Sequence, residues 1–427
     1  MKKTIPDLRT FVVALILSLL SAVFDVGTAS AGSLWTWGLN SNGQIGDGTI
    51  SNSRFVPFEV PVEDVSKIVA EGGVSYAIIS DGTVWAWGRN DQGQLGNGSS
   101  GSNNPIPSQI PGLSGVVDIA SDGRHTLALK SDGSVWGWGN NHLGPLGRAS
   151  CGCNYSSNCL TPERIPGLTG IRAIAAGIHY SIALKSNGTV WAMGWDDMLG
   201  IGVHGDASNY NTCTPYNPYS PDAVVQIPGL NDIIAITAGL IHSAALKSDG
   251  TVWTWGSNGV GEIGDGTYGY GDYRYTPVQM AGLSGVTAVT AGGGYTVALK
   301  SDGTVWLTGG GEMMDPEEYE FPYTDTAYFC APPGPRLTPV RISGIDGVIA
   351  IATGRSLNYT DVHFLALKAD GTVWGWGRNA SGQLGNGEGG TYLPVCPPIQ
   401  VASGISNVRT IEAGESFSMA IGSAQCQ

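Results

Sequence analysis

The residues best suited to chemistry or recognition in this 427-residue chain are its seven cysteines and sixteen tyrosines, and both are clustered. Cys151, Cys153 and Cys159 sit together, Cys213 follows in the next segment, and Cys330, Cys396 and Cys426 come later. Thiols grouped this way pair as disulfides in an oxidising compartment. The expected pattern joins Cys330 to Cys396 and makes two bridges among Cys151, Cys153, Cys159 and Cys213. A four-thiolate metal site at those four is the alternative. Cys426 is then left over, free or paired with another molecule. Twelve tyrosines fall in five expanded segments: Tyr155, Tyr210, Tyr216, Tyr219, Tyr268, Tyr270, Tyr273, Tyr275, Tyr319, Tyr323, Tyr328 and Tyr392. Tyr among Ser, Gly and Asn is a paratope-like mixture that gives contact area at low entropy cost. These twelve are therefore candidate partner-binding residues; the alternative is that they pack the segments onto the scaffold.

Other chemistry is not signalled. There is no nucleophile elbow, zinc-protease motif, calcium loop or phosphate loop, and nothing in sequence pairs two carboxylates. Three residues before a repeated Ala stand Val74, His125, Tyr180, His242, Tyr295, His363 and Phe417. A position that accepts His, Tyr, Phe and Val reads as a packing site rather than a ligand set. His142 and His204 are lone loop residues without ligand spacing. The acidic run Asp315 to Glu320 reads as a solvated loop. No catalytic, cofactor or metal residue is assigned.

The elements that position these residues come from one repeat. Leu-Trp-Thr-Trp-Gly at 34–38 and Val-Trp-Ala-Trp-Gly at 84–88 return around Trp136, Trp191, Trp253, Trp306 and Trp374. An Ala-Leu-Lys run recurs at 128–130, 183–185, 245–247, 298–300 and 366–368, with weaker copies at Ala77 and Ala420. Ser-Asp-Gly lies between the two runs, and Asp-Gly between apolar runs is a strong hairpin signal. A Pro-led run and an alternating run complete four short strands, as at Pro162 to Ile165 and Ile171 to Gly177. Seven such units predict an all-β, seven-bladed propeller with four-stranded antiparallel blades. The first copy starts halfway and the last stops halfway, so the closing blade is expected to share strands from both termini. Twelve of thirteen Trp occupy the repeated positions, all but Trp195, and are expected to pack between blades.

Residues 1–31 read as a signal peptide: Lys2, Lys3 and Arg9, then an apolar run from Phe11 to Phe24, then Ala29-Ser30-Ala31. An uncleaved anchor is the alternative. Residues 32–427 form the propeller, with a secreted, periplasmic or extracellular location. A net charge of −14 disfavours nucleic acid and anionic membrane surfaces as partners.

At Gly123, His125, Ala128, Leu129, Asp132, Gly133, Val135, Trp138, Gly139, Asn141 and Gly144 the repeat resembles the regulator-of-chromosome-condensation family. The resemblance covers nearly all of residues 33–422. Its members include nuclear guanine-nucleotide exchange factors, an ultraviolet-B receptor, ubiquitin-ligase modules and secreted bacterial β-lactamase inhibitors. The address resembles the last group, although this chain carries long insertions where those repeats are compact.

The expansions at 148–161, 203–221, 267–276, 310–338 and 388–397 all lie between the Trp strand and the Pro-led strand. In a meander they emerge on one face, joined by a lengthened connection at 355–362. The Asp-Gly turns stay short on the other. The expected function is a secreted, non-enzymatic binding module whose Tyr-rich face takes an extracellular or envelope protein, or a glycan. The alternatives are a lyase- or glycosidase-type propeller enzyme at the channel mouth, a structural surface module, and exchange-factor activity.

Overall fold

Each Asp-Gly or Asn-Gly turn closes a hairpin because its glycine takes a backbone conformation that L side chains rarely adopt. Gly133, at φ 76°, joins His125–Lys130 to Val135–Asn140 in this way. Val116–Ser121 and Asn158–Arg164 flank this hairpin and complete a four-stranded antiparallel blade. The computed structural model describes residues 32–147, 158–202, 224–310, 336–356, 362–390, 394–401 and 404–424. Residues 1–31 lie outside that description.

Seven such sheets are present. The closing blade combines Ile405–Ala413 and Phe417–Ala424 with Ser33–Gly38 and Arg54–Val60. Its central pairing runs from Ser33 with Gly422 to Gly38 with Phe417. The second to seventh blades begin at Val65, Val116, Ile171, Ile233, Val286 and Val348. The first strand of every blade packs against the first strand of the next, around the full circle, so these strands are innermost. The expected fold, including the shared closing blade, is the observed one. Among the described residues one short 3₁₀ turn, Asp196–Met198, is the only helical element.

The buried core of the described residues is divided into seven layers, each between two successive blades. The second Trp of the repeat fills these layers. Trp37, Trp87, Trp138 and Trp255 are fully buried, and each indole N–H donates to a backbone carbonyl of the preceding blade. The acceptors are Gln383, Gln44, Gln94 and Met198, at 2.8, 2.9, 2.7 and 3.2 Å. The histidines of the repeat face the next blade: Nε2 of His125, His242 and His363 meets the hydroxyls of Ser181, Thr296 and Ser418 at 2.8, 3.0 and 2.8 Å. Trp and His of the repeat thus hold blade to blade.

The outermost strands begin earlier than the Pro-led pattern suggested, at Asn158, Tyr273, Arg336 and Val395. Their first residues pair with the end of the Trp strand, beyond a register shift that the proline-containing segment introduces. Four of the five expansions are shorter for that reason. Cys159, Tyr273, Tyr275 and Cys396 are strand residues, not loop residues.

Candidate functional site

The Asp-Gly turns join the second and third strands at one end of the blades. The connections from first to second and from third to outermost strand emerge at the other end, the inserted face. Of the twelve tyrosines, Tyr268, Tyr270, Tyr273 and Tyr275 are described. Tyr270 is 87% exposed and Tyr268 48% exposed, on the segment that links Val252–Ser257 to Tyr273–Gln279. Tyr273 and Tyr275 point to one side of their strand, as residues two apart must, and their rings stack at 5.9 Å. Tyr273 packs against the layer between the fourth and fifth blades, and burial raises its pKa. One expansion therefore divides its tyrosines, two anchoring and two presented. Tyr155, Tyr210, Tyr216, Tyr219, Tyr319, Tyr323, Tyr328 and Tyr392 lie outside the described residues, as do Cys151, Cys153, Cys213 and Cys330. Cys159 is buried and Cys396 exposed, each near the start of an outermost strand.

A second group gathers where the innermost strands end. The residue at the end of each innermost strand, or the one just past it, faces the first residue of the second strand. The pairs are Glu71 with Val74, Asp122 with His125, Gly177 with Tyr180, Gly239 with His242, Gly292 with Tyr295, Gly354 with His363 and Gly414 with Phe417. Five copies are glycine for a steric reason. A Cβ at Gly177 would stand 2.1 Å from Cε1 of Tyr180, one at Gly239 2.5 Å from Cε1 of His242, and one at Gly414 2.4 Å from Cε1 of Phe417. In the second blade the partner is Val74, with no ring to collide, and Glu71 fits. In the third, the imidazole of His125 meets Asp122 instead, Nδ1 to Oδ1 at 2.9 Å.

Arg355, on the connection after the seventh blade's innermost strand, reaches across the ring axis to the first of these carboxylates. Its Nε lies 3.2 Å from Oε1 of Glu71 in the second blade. Its Nη1 donates to the carbonyls of Ser121 and Ala176, in the third and fourth blades, at 3.3 and 2.6 Å. Deeper in the channel Lys67 pairs with Asp118. Ala173, Ala235, Ala288 and Ala350 hold the matching positions of the fourth to seventh blades. Burial pushes Glu71 up to about 8; Arg355 opposes this, and Glu412, Asp122 and Glu415 reinforce it. Burial likewise lifts Glu412 to about 7. Asp122 pays the same burial penalty, but the charge and hydrogen bonds of His125 outweigh it and hold the carboxyl at about 2. One protonated and one ionised carboxyl are the ingredients of acid–base chemistry. Here only 11% of the Glu71 side chain and 13% of Arg355 are exposed, so the chain's own guanidinium occupies the mouth.

Sequence reasoning missed this cluster. Its one local signal was the replacement of a repeated Gly by Glu71 and Asp122. It also treated His142 as isolated. The fold sets the His142 ring edge-on to His179 at 5.1 Å, and Arg124 Nη1 lies 3.3 Å from Nε2 of His179. Burial lowers His179 to about 4.

The RCC1-like domain family matches residues 22–354, and the regulator of chromosome condensation (RCC1) repeat matches residues 348–383 and 370–421. The chain is 31% identical over 280 residues to the E3 ubiquitin-protein ligase HERC2 of Mus musculus, covering 64% of this chain and 5% of that protein. It is 29% identical over 277 residues to the ultraviolet-B receptor UVR8 of Arabidopsis thaliana, covering 64% of this chain and 55% of the receptor. Prp20p from Saccharomyces cerevisiae, whose structure was described with its binding to Gsp1p and histones, superposes with a TM-score of 0.74 at 21% identity. The alignment covers 94% of this chain and 93% of Prp20p. Human WBSCR16 gives 0.71 at 19% identity, over 93% of this chain and all of the other. With the RCC1-like domain matched over most of its length, on seven blades of one repeated unit, this chain belongs to the RCC1 family of β-propellers.

Proposed function

We propose that this chain is an exported binding propeller whose inserted face captures an extracellular or envelope protein, or a glycan, without catalysing a reaction. The observation that carries the reading is the pair Tyr268 and Tyr270, held out on the inserted face above two tyrosines anchored in the blade. Rigid aromatic contact area on a fixed scaffold is what low-cost recognition requires. The expansions on that face fit the same role, and a relative described by its binding to Gsp1p and histones supports a binding role for the fold. The export signal at residues 1–31 sets the compartment, and disulfides at Cys159 and Cys396 accord with it. Within this reading Cys396 pairs with Cys330, and Cys159 belongs to one of two bridges among the first four cysteines. An enzyme reading would draw on Glu71 and Asp122, but Arg355 fills the space a substrate would need.

Replacing Tyr268 and Tyr270 together with Ser tests the proposal. Capture of a partner from secreted and envelope extracts should fall at least tenfold while the thermal midpoint stays unchanged. Undiminished capture by the variant overturns the assignment to these residues.

A further inference from the structure

The face of short turns carries a second site, independent of the inserted-face reading. The first Trp of the repeat is only partly buried, and in five blades the chain lays its own lysine over the ring. Nζ of Lys130, Lys185, Lys247, Lys300 and Lys368 stands 4.2, 3.8, 5.2, 5.3 and 4.1 Å from the ring centroids of Trp136, Trp191, Trp253, Trp306 and Trp374. A cation over an indole face is attracted by the ring quadrupole. These pairs show what this position of the repeat accepts: a primary ammonium on an alkyl stem.

The second blade breaks the pattern. Ile79 stands where those five blades have Lys, facing Val65 as Lys130 faces Val116. Among the described residues no cation lies over Trp85. A cavity of about 300 Å³ opens there instead, lined by Trp85, Ile79, Thr83, Asp81, Glu63 and Gln109. Glu63 precedes Val65 by two residues, where the third to sixth blades have Ser114, Thr169, Asn231 and Ser284; the seventh also has an acid there, Asp346, but it is paired with Arg341. Asp81 is the turn residue of the repeat, and Thr83 engages one of its oxygens, Oδ1, through both N–H and hydroxyl at 2.8 and 2.7 Å. The second blade, without the lysine, therefore has two carboxylates and an open space beside the same indole.

We propose that this cavity binds a primary alkylammonium group, with its stem against Trp85 and Ile79 and its charge between Asp81 and Glu63. A lysine side chain of a partner and a free diamine share this chemistry. A single aromatic wall flanked by carboxylates favours an ammonium with N–H donors over a quaternary one, which calls for an aromatic cage.

The test follows the indole N–H resonances of protein labelled at Trp, with Trp85 assigned by Trp85→Phe. Nα-acetyl-lysine amide should shift the Trp85 signal with a dissociation constant on the order of 10 mM. Its Nε-acetylated, neutral analogue should not. Ile79→Lys restores the residue of five other blades, so it should fold, and it should abolish the response by filling the site from within. Glu63→Ser should weaken binding at least threefold. Cadaverine binding tenfold more tightly than the lysine amide would identify a free diamine as the source, and equal affinity a lysine side chain; either supports the site. No Trp85 shift with either amine, or an undiminished shift in Ile79→Lys, overturns the proposal.

Discussion

The two sides of the central channel are built from the same repeat and solve the same packing problem differently. On the fourth to seventh blades a glycine stands at or just past the end of the innermost strand, because a Cβ would meet the ring of the facing Tyr or His in the fourth, fifth and seventh blades and Thr353 of the next blade in the sixth. On the second and third blades the same position carries Glu71 and Asp122; Arg355 comes from the opposite side of the ring to meet Glu71 and the Ser121 carbonyl, and His125 partners Asp122. One side closes by steric contact and the other by charge. The contrast teaches that a repeat tolerates a polar residue at a buried position only where two things change together: the neighbour that would collide and the counter-charge that would be missing.

The comparison can be broken first at its charged side. Arg355→Met removes the guanidinium that contacts Glu71 and the Ser121 and Ala176 carbonyls and should lower unfolding free energy by about 1.5–3 kcal/mol. Adding Glu71→Gly, which restores the glycine of the other blades, should recover part of that loss in a denaturant titration. Equal losses in the single and double variants would mean that the two residues act separately. The steric side comes next. Gly239→Ala should cost about 1–3 kcal/mol, because the new methyl meets the His242 ring at 2.5 Å and the Gly292 carbonyl at 2.6 Å. An unchanged midpoint would refute the steric account.

The two sides should also respond oppositely to pH. Glu71 and Glu412 have folded pKa values raised to about 8 and 7, so their contribution is present below the ordinary value of 4.5 and is lost as pH rises. His242 and His363, buried and lowered to about 3, contribute above 6.5 and lose that contribution as pH falls. Stability followed from pH 4 to 9 should therefore decline at both ends. Glu71→Gln should flatten the alkaline limb by up to about 1.4 kcal/mol per pH unit. An alkaline limb unchanged by this variant would place the effect elsewhere. The smallest effect belongs to the inserted face: Tyr268→Ser with Tyr270→Ser should move stability by no more than about 0.5 kcal/mol, since exposed side chains away from the core carry little of it.

The blades were legible because their determinants are local and repeated. Asp-Gly turns fix the hairpins, and Trp at alternate positions of a strand must share a face. The outer-strand starts were misjudged by several residues. Pairing with the Trp strand, not proline position, decides where Asn158 or Tyr273 enters the sheet. The mouth cluster was visible only as two missing glycines, at Glu71 and Asp122. Arg355 carried no local signal, and the cavity at Trp85 needed the five lysine pairs to give its missing lysine a meaning.

The sequence by itself determined the propeller, the number of blades and the face that bears the expansions. These follow from turn chemistry and side-chain periodicity within about fifty residues of chain. Only the tertiary structure decided which departures from the repeat meet. Closing the ring brings Arg355 to Ser121, 234 positions away in the chain, and to Glu71 and Ala176. Charge, burial and collision act through space, and a circle of blades makes neighbours of residues that the chain keeps far apart.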